Sequence, residues 1–231
     1  MAATARGSTP TPGEQGNEPT VFVVDDDPAM RESLSWLLQA AALNVETFDS
    51  AEHFLDCCDR SRPGCLLLDM KLPGLSGLDL QQELASRGVN LPIIFLTGYA
   101  EVSTAVRAVK TGAFDFLEKP FGDQVLLGCV RRAIEHDARQ RESQEHISSV
   151  TGKLSRLSRR EAQVMELMIA GKPTKTIAAD LGLSPKTIEV HRSRVMRKME
   201  VRTLPQLVRQ VVEARGAAGA DEERRRADSN R

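Results

Sequence analysis

The sequence LLLDMKLPGLSG, residues 66–77, decides the fold of this chain. An apolar run of strand length ends in a carboxylate, Asp69, and a loop with proline and glycine separates it from a helical pattern. The same alternation recurs from residue 20 to about 136. Strands are predicted at 21–24, 45–48, 65–68, 93–96 and 114–117, and helices at 29–41, 51–58, 77–87, 101–110 and 124–136. Five successive strand–helix units predict an α/β fold, a doubly wound five-stranded parallel sheet with helices on both faces.

Polar residues stand where these predicted strands end. The first strand leads to Asp25-Asp26-Asp27, the third to Asp69, the fourth to Thr97 and the fifth to Lys119-Pro120. In a doubly wound sheet, functional groups collect at the carboxyl ends of the strands. A cluster of carboxylates repels itself unless a divalent cation neutralises it, and Mg²⁺ prefers oxygen ligands. A free carboxylate can attack phosphorus to form an acyl phosphate, while metal, ammonium and hydroxyl groups stabilise the transferring oxygens.

Together these residues resemble the receiver domain of two-component response regulators, over roughly residues 20–136. The matching motifs are VVDDD (23–27), LLLDMKLPGLSG (66–77), FLTG (95–98) and LEKPF (117–121). Each motif alone is weak, whereas their order and spacing together are highly specific. The resemblance implies a flavodoxin-like fold and a domain that catalyses its own aspartyl phosphorylation and slow dephosphorylation, without being a conventional enzyme.

The resemblance also assigns roles to individual residues. Asp69 accepts the phosphoryl group, and Thr97 and Lys119 bind its oxygens. The implied ligands of Mg²⁺ are Asp25, Asp26, Asp69 and the backbone carbonyl of Lys71. The Lys119–Pro120 bond is expected to be cis, a form that is essentially confined to bonds before proline. Thr97 and Phe116 are the implied switch pair, in which the aromatic ring changes position when the hydroxyl moves.

These roles have simpler alternatives. Asp25 and Asp26 could only cap the helix that begins near Pro28, as Asp27 is expected to do, and Phe116 could be an ordinary core residue. An enzymatic alternative is a phosphatase or phosphotransferase of the haloacid dehalogenase class, which also uses a strand-end aspartyl nucleophile and Mg²⁺. Such enzymes have a second carboxylate two positions after the nucleophile. Here that position is Lys71, and no insertion suggests a substrate-recognising cap, so the sequence disfavours this class.

The net charge of −1 conceals two oppositely charged regions. Residues 20–136 carry 17 Asp and Glu against 10 Lys and Arg, a net −7, whereas residues 152–215 carry 6 against 14, a net +8. A small basic domain is typical of nucleic-acid binders. No apolar run approaches the ~20 residues of a membrane helix, and residues 1–19 lack the apolar core of a signal peptide. We therefore expect a cytoplasmic protein without membrane contact.

The basic region has an all-helical pattern. Ser158-Arg159-Arg160-Glu161 is a capping box that opens a helix through Ile169, and Gly171 closes it. A short helix at 174–181 is followed by a turn at Gly182. A further helix runs from Ser184-Pro185 to about Met199, and a fourth is predicted at 204–212. This is the layout of a helix-turn-helix, whose second helix lies in the major groove of DNA.

Residues 154–213 resemble the LuxR/FixJ type of output domain, through the string LSRREAQVMELMIAGKPTKTIAADLGLSPKTIEVHRSRVMRKM. The pattern predicts that Ile188, Val195 and Met199 face the core and that cations on the opposite face contact phosphates. The family's base-contacting positions fall on Glu189, Val190 and Ser193. Many members have lysine where Glu189 stands; the glutamate could accept from cytosine N4, or pair with Arg192 or Arg194. The predicted DNA-contacting set is Lys175, Ser184, Lys186, Thr187, Glu189, Val190, His191, Arg192, Ser193, Arg194 and Arg197.

The predicted organisation follows from these patterns. It comprises a disordered tail at 1–19, a receiver domain at 20–136, a linker at 137–152 that could prolong the preceding helix, a helix-turn-helix domain at 153–215 and a disordered tail at 216–231. The two resemblances imply a transcription regulator: a sensor histidine kinase phosphorylates Asp69, a homodimer forms and promoter DNA is bound, with RNA polymerase as a further partner. An alternative keeps DNA binding but makes the receiver a fixed dimerisation module, which would not require the residues of the acidic site.

Overall fold

A computed structural model of the chain describes residues 18–98 and 112–229. The predicted helix at 101–110 and the predicted tail up to residue 17 lie outside these residues. The chain divides into two compact units, and the division falls between Gln140 and Arg141. Each unit is built around its own apolar core.

The first unit contains the predicted parallel sheet. Its strands are β1 (Thr20–Val24), β2 (Asn44–Phe48), β3 (Gly64–Asp69), β4 (Ile93–Thr97) and β5 (Asp115–Glu118). All neighbouring pairs are parallel, in the order β2-β1-β3-β4-β5. The chain therefore crosses over after β2 and reverses its direction of winding, which confirms the doubly wound arrangement.

Alternation along the central strands β1, β3 and β4 explains why these three are almost entirely apolar. Phe22, Val24, Leu66 and Leu68 point to one face of the sheet and join one core cluster. Val21, Val23, Cys65 and Leu67 point to the other face and join a second cluster. Because both faces of these central strands are covered, neither set of side chains is left for water, and the polar residues of the site appear where these strands end.

The described helices that begin in this unit are α1 (Pro28–Ala40), α2 (Ala51–Cys57), α3 (Gly77–Ser86) and α4 (Asp123–Ser155). The first three begin at residues that cap them. Asp27, as expected, accepts from the backbone N–H of Ala29 at 2.9 Å and caps α1. Ser50 caps α2, and Ser76 caps α3 with a capping box to Asp79.

Helix α4 runs well beyond the predicted end at residue 136. The segment 137–152 is helical, as the alternative for the linker allowed, and both of its ends are built into a core. Asp137, only 2% exposed, accepts a hydrogen bond from the backbone N–H of Gly64 at 2.8 Å. Val150, 1% exposed, packs in the core of the second unit. Residues 137–140 therefore belong to the first unit and residues 141–152 to the second.

The second unit is helical. It contains α5 (Arg159–Ile169), α6 (Thr174–Leu181), α7 (Pro185–Lys198) and α8 (Leu204–Ser229). Ser158 caps α5 through the predicted capping box with Glu161, and Ser184 caps α7. Gly182 ends α6 in the left-handed conformation, with φ of 64°, which a side chain would oppose. Helices α6 and α7 with this turn form the predicted helix-turn-helix.

Helix α8 extends beyond its predicted end. It was expected to end at residue 212, with 216–231 disordered, and the structure continues α8 to Ser229. The segment 217–227 consists largely of alanine, glutamate and arginine, which are among the strongest helix formers. The segment has no apolar periodicity, but intrinsic helix propensity does not require an apolar face. Among the described residues, no helix is long and apolar enough to cross a membrane.

Candidate functional site

Three carboxylates converge at the carboxyl edge of the sheet. Asp25 and Asp26 directly follow β1, and Asp69 ends the neighbouring strand β3. One carboxylate oxygen from each lies within 4.8 Å of the other two. Asp25 is buried, Asp69 is partly exposed and Asp26 is exposed, so the cluster opens towards solvent on one side. Oxygen ligands in this number and of this kind suit Mg²⁺.

Lys119 reaches the same carboxylates from β5. Its Nζ donates to Asp25 Oδ2 at 2.9 Å and lies 3.3 Å from Asp69 Oδ1. The backbone N–H of Lys119 also donates to the carbonyl of Thr97 at 2.7 Å, which fixes the end of β5 beside that of β4. The Lys119–Pro120 bond is cis, as the resemblance implied. The structure thus brings together residues that are separated by up to 94 positions.

Burial and neighbouring groups of opposite charge act in opposite directions on the pKa values of Asp69 and Lys119. Burial raises the pKa of Asp69, the nearby Lys119 lowers it, and the charge of Asp25 raises it again. The net result is a pKa above the usual range for this carboxyl. Burial alone would lower the pKa of Lys119, but its hydrogen bond to Asp25 and the charge of Asp69 outweigh that effect and raise it. The ammonium therefore stays charged and partly neutralises the acids.

Asp25 is held by two contacts that could not be read from the sequence. The backbone N–H of Asp27 donates to Asp25 Oδ1 at 2.9 Å, and the guanidinium of Arg31 donates to the Asp25 carbonyl at 2.7 Å. Both donors belong to the start of α1. The turn that caps α1 therefore also orients the buried Asp25 carboxylate. Capping of the helix and placement of this carboxylate in the site depend on the same residues.

The loop after Asp69 is held by packing and by a distant glutamate. A side chain at Gly77 would place its Cβ 2.4 Å from the carbonyl oxygen of Asp69, so only glycine fits there without movement. Glu52 on α2 accepts from the backbone N–H of Leu75 at 3.1 Å. The backbone of Lys71 hydrogen-bonds the Asp69 carboxylate. Glu52 carries no motif in the sequence, and only tertiary proximity identifies it.

Thr97 and Phe116 lie on neighbouring strands with different environments. Thr97 ends β4 and is 5% exposed, whereas the ring of Phe116 on β5 is 44% exposed. Phe116 is therefore not an ordinary core residue in this conformation.

The basic unit presents one face of α7 to solvent. Ile188, Val195 and Met199 are fully buried, as predicted. The residues predicted on the opposite face are all exposed: Lys186, Glu189, Val190, Ser193, Arg194 and Arg197. Arg192 is partly buried and lies 3.8 Å from Glu189 Oε1, which realises one of the two pairings considered for this glutamate.

Other predicted DNA-contacting residues surround this face. Lys175 on α6 is exposed. Ser184 and Thr187 are engaged in the cap of α7, because the Ser184 hydroxyl accepts from the Thr187 backbone N–H at 3.1 Å. The Nδ1 atom of His191 is buried and has no hydrogen-bond partner in the part of the chain that the structure describes.

A buried ion pair holds α5 against α7. Lys198 Nζ donates to Glu161 Oε2 at 2.6 Å and to the carbonyl of Arg156 at 3.0 Å. The hydrogen bond from Lys198, together with that from the backbone N–H of Ser158, lowers the pKa of Glu161 to about 2. Sequence reasoning identified Glu161 only as the second half of a capping box. Lys198 is therefore part of the framework of the unit rather than of its exposed basic face.

Comparison with known proteins gives the same division of the chain. The family model of the response regulator receiver domain matches residues 21–131, and that of the luxR family of bacterial regulatory proteins matches residues 155–211. The transcriptional regulatory protein FixJ of Azorhizobium caulinodans is 45% identical over 202 residues, covering 87% of this chain and 95% of the relative. TdiR of Thauera aromatica, also a transcriptional regulatory protein, is 44% identical over 197 residues, covering 84% of this chain and 85% of the relative.

A solved structure extends the similarity to three dimensions. The low-resolution structure of the response regulator StyR has a TM-score of 0.79 and 42% identity, covering 85% of this chain and 99% of that one. Fold and sites together define a DNA-binding transcription regulator with a receiver domain. The chain belongs to the FixJ-like response regulators.

Proposed function

We propose that a sensor histidine kinase phosphorylates Asp69 and that this modification controls dimerisation and promoter binding. The observation that carries the proposal is the convergence of Asp25, Asp26 and Asp69 within 4.8 Å, with the Lys119 ammonium against two of them. A cluster of this charge has no role in packing, and a module that served only for dimerisation would not require it.

The residues of the cluster divide the work of phosphoryl transfer. Asp25, Asp26, Asp69 and the backbone carbonyl of Lys71 would hold Mg²⁺, which neutralises charge on the transferring group when it is bound. The partly exposed carboxylate of Asp69, at the end of β3, attacks the phosphorus of the kinase's phosphohistidine. The new O–P bond makes an acyl phosphate, while the P–N bond breaks and the histidine imidazole leaves. Lys119 and Thr97 stabilise the equatorial oxygens of the transferring group. The receiver in this way catalyses its own modification and slow dephosphorylation.

Control of DNA binding follows from a shift between an inactive and an active conformation of the receiver. Thr97 moves to the phosphoryl group, and Phe116, which is exposed in the present conformation, changes position with it. The phosphoryl group can shift the equilibrium only by stabilising the active state more than the inactive one. A homodimer then presents two α7 helices to promoter DNA in the cytoplasm, where RNA polymerase is the further partner. The proposed DNA contacts are Lys175, Ser184, Lys186, Thr187, Glu189, Val190, His191, Arg192, Ser193, Arg194 and Arg197.

The test is phosphorylation of the full chain with acetyl phosphate and Mg²⁺, measured by intact mass. The wild type and Asp56→Asn, a control at an exposed acid on α2, are expected to gain one phosphoryl group, and Asp69→Asn none. A gel-shift titration then compares DNA affinity with and without acetyl phosphate. Phosphorylation of Asp69→Asn would show that another group is the acceptor. Equal DNA affinity in both states would favour the receiver as a fixed dimerisation module.

A further inference from the structure

A threonine outside α7 holds the single acidic side chain of that helix. Glu189 is the only carboxylate in the sequence of α7, and its side chain is 59% exposed. Thr174, the first residue of α6, donates its hydroxyl proton to Glu189 Oε1 at 2.7 Å. Arg192 Nε lies 3.8 Å from the same oxygen. The hydrogen bond from Thr174 goes to Oε1, and among the described residues no hydrogen bond to Oε2 is found.

We infer that Thr174 and Arg192 orient the Glu189 carboxylate so that Oε2 accepts a hydrogen bond from the N4 amine of one cytosine in the major groove. Thr174 is then a positioning residue that determines base specificity. The inference rests on the promoter binding proposed above and deepens it by naming one base that α7 reads. It also makes the two alternatives for Glu189 compatible, since the carboxylate can lie beside Arg192 while Oε2, which accepts no hydrogen bond among the described residues, reads a base.

The chemistry of the groove selects cytosine. A carboxylate only accepts hydrogen bonds. Guanine presents two acceptors in the major groove, and thymine an acceptor and a methyl group, so neither offers it a donor. Adenine has the N6 amine, but the adjacent N7 lone pair repels the second carboxylate oxygen. Cytosine presents the N4 amine without a neighbouring acceptor on the same base, which leaves it as the favoured partner.

The hydrogen bond from Thr174 lowers the cost of the contact between the Glu189 carboxylate and cytosine. A carboxylate that approaches DNA is repelled by the phosphates, and the Arg192 guanidinium offsets part of that repulsion. A glutamate free to rotate would also lose side-chain entropy when it docks on a base. The hydroxyl of Thr174 fixes the carboxylate from a different helix before DNA arrives, so part of this loss has already occurred on folding.

The test is selection of bound sequences from a pool of randomised duplexes. The full chain is treated with acetyl phosphate and Mg²⁺ at one fixed salt concentration, and the enriched DNA is sequenced. The wild type is expected to enrich a motif with a C·G pair at one position. Glu189→Ala abolishes the preference there, and Glu189→Gln moves it towards adenine, because an amide matches both N6 and N7.

The positioning role has its own variants. Thr174→Val is expected to lower the preference for cytosine at that position about tenfold, a loss comparable to that of one base contact. Thr174→Ser, which keeps the hydroxyl, retains the preference. Thr176→Val is the matched control, because Thr176 is an exposed threonine of the same helix without a contact to Glu189. Circular dichroism identifies any variant that fails to fold, in which case Thr174→Ser and Glu189→Gln carry the comparison.

Three results would overturn the inference at different levels. An unchanged motif for Glu189→Ala would show that the carboxylate reads no base. A motif altered by Glu189→Ala but not by Thr174→Val would remove the role of Thr174. If the wild type enriched no motif, promoter recognition itself would fail, and the cytosine contact with it.

Discussion

The carboxylate of Asp137 accepts a hydrogen bond of 2.8 Å from the backbone N–H of Gly64, across 73 positions of the chain. This contact joins α4 to the first residue of β3, the strand that ends in Asp69. Both groups are buried, so the loss of one partner leaves the other without compensation for its desolvation.

Replacement of Asp137 with alanine is therefore expected to destabilise the receiver by about 1–3 kcal/mol. Protection of β3 amides in hydrogen exchange should fall, while that of α5 to α7 stays the same. Glu135→Ala is the control, because Glu135 lies on the same helix with an exposed side chain. Unchanged exchange in β3 would mean that solvent or a neighbouring group replaces the carboxylate.

In the proposed site, Lys119 would compete with Mg²⁺ for the carboxylates of Asp25 and Asp69. Removal of its charge in Lys119→Met is expected to tighten Mg²⁺ binding, because an ammonium at 2.9 Å from Asp25 and 3.3 Å from Asp69 repels the ion. The same variant should accept a phosphoryl group from acetyl phosphate about 100-fold more slowly, since an oxygen-stabilising cation is lost. Calorimetric Mg²⁺ titration and a phosphorylation time course measure the two effects.

Tighter Mg²⁺ binding together with slower phosphorylation would distinguish loss of the Lys119 charge from general damage to the site, which would weaken Mg²⁺ binding as well. Arg132→Met removes a cation that pairs with Asp115 and should leave both quantities unaltered. Weaker Mg²⁺ binding by Lys119→Met would contradict the competition.

The ion pair between Glu161 and Lys198 should make the second unit sensitive to acid. The pKa of Glu161 is lowered to about 2 from an ordinary 4.5, so its contribution to stability is complete above pH 4.5 and is lost as the pH falls towards 2. The contribution is on the order of 3 kcal/mol. Hydrogen exchange of α5 and α7 at a series of pH values measures it. Glu161→Gln should lose most of this pH dependence, and a wild-type profile retained by the variant would assign the effect to other acids.

The close approach at Gly77 predicts a loss of function from a single methyl group. Gly77→Ala places a Cβ 2.4 Å from the Asp69 carbonyl oxygen, so the end of β3 must shift. We expect a loss of about 1–3 kcal/mol of stability and slower phosphorylation of Asp69, although alanine is the better helix former. Gly152→Ala, in α4 with open space around it, should instead stabilise the chain by up to about 1 kcal/mol. Urea denaturation followed by circular dichroism and a phosphorylation time course compare the two variants, and a neutral Gly77→Ala would mean that the loop yields easily.

The sheet and the acidic cluster were predictable because short-range patterns encode them. An apolar run that ends in Asp69 specifies both a buried strand and the edge at which its carboxylate lies. Capping residues such as Ser158 and Ser184 likewise fix helix starts locally. What the sequence could not supply were partners that are distant along the chain. Glu52 and Lys198 carry no motif, and their contacts exist only because the fold brings them to Leu75 and Glu161.

The extent of α8 has a different origin. The absence of apolar periodicity predicts disorder for 216–231, whereas helix propensity favours the continuation of α8 to Ser229 that the structure has. Glu189 illustrates a middle case. Helical spacing indicated Arg192 as a partner, whereas Thr174 lies on another helix and could not be inferred from spacing.

The way in which α4 contributes to both cores changes what counts as a module in this protein. A receiver cut at residue 136 would lack the Asp137 carboxylate beneath β3, and a DNA-binding fragment that began at residue 153 would lack Val150. The second unit therefore starts at Arg141 and carries its own portion of helix, residues 141–155. Chimeras that graft this output domain onto another sensor should join the parts between Gln140 and Arg141, inside a helix, rather than at a loop.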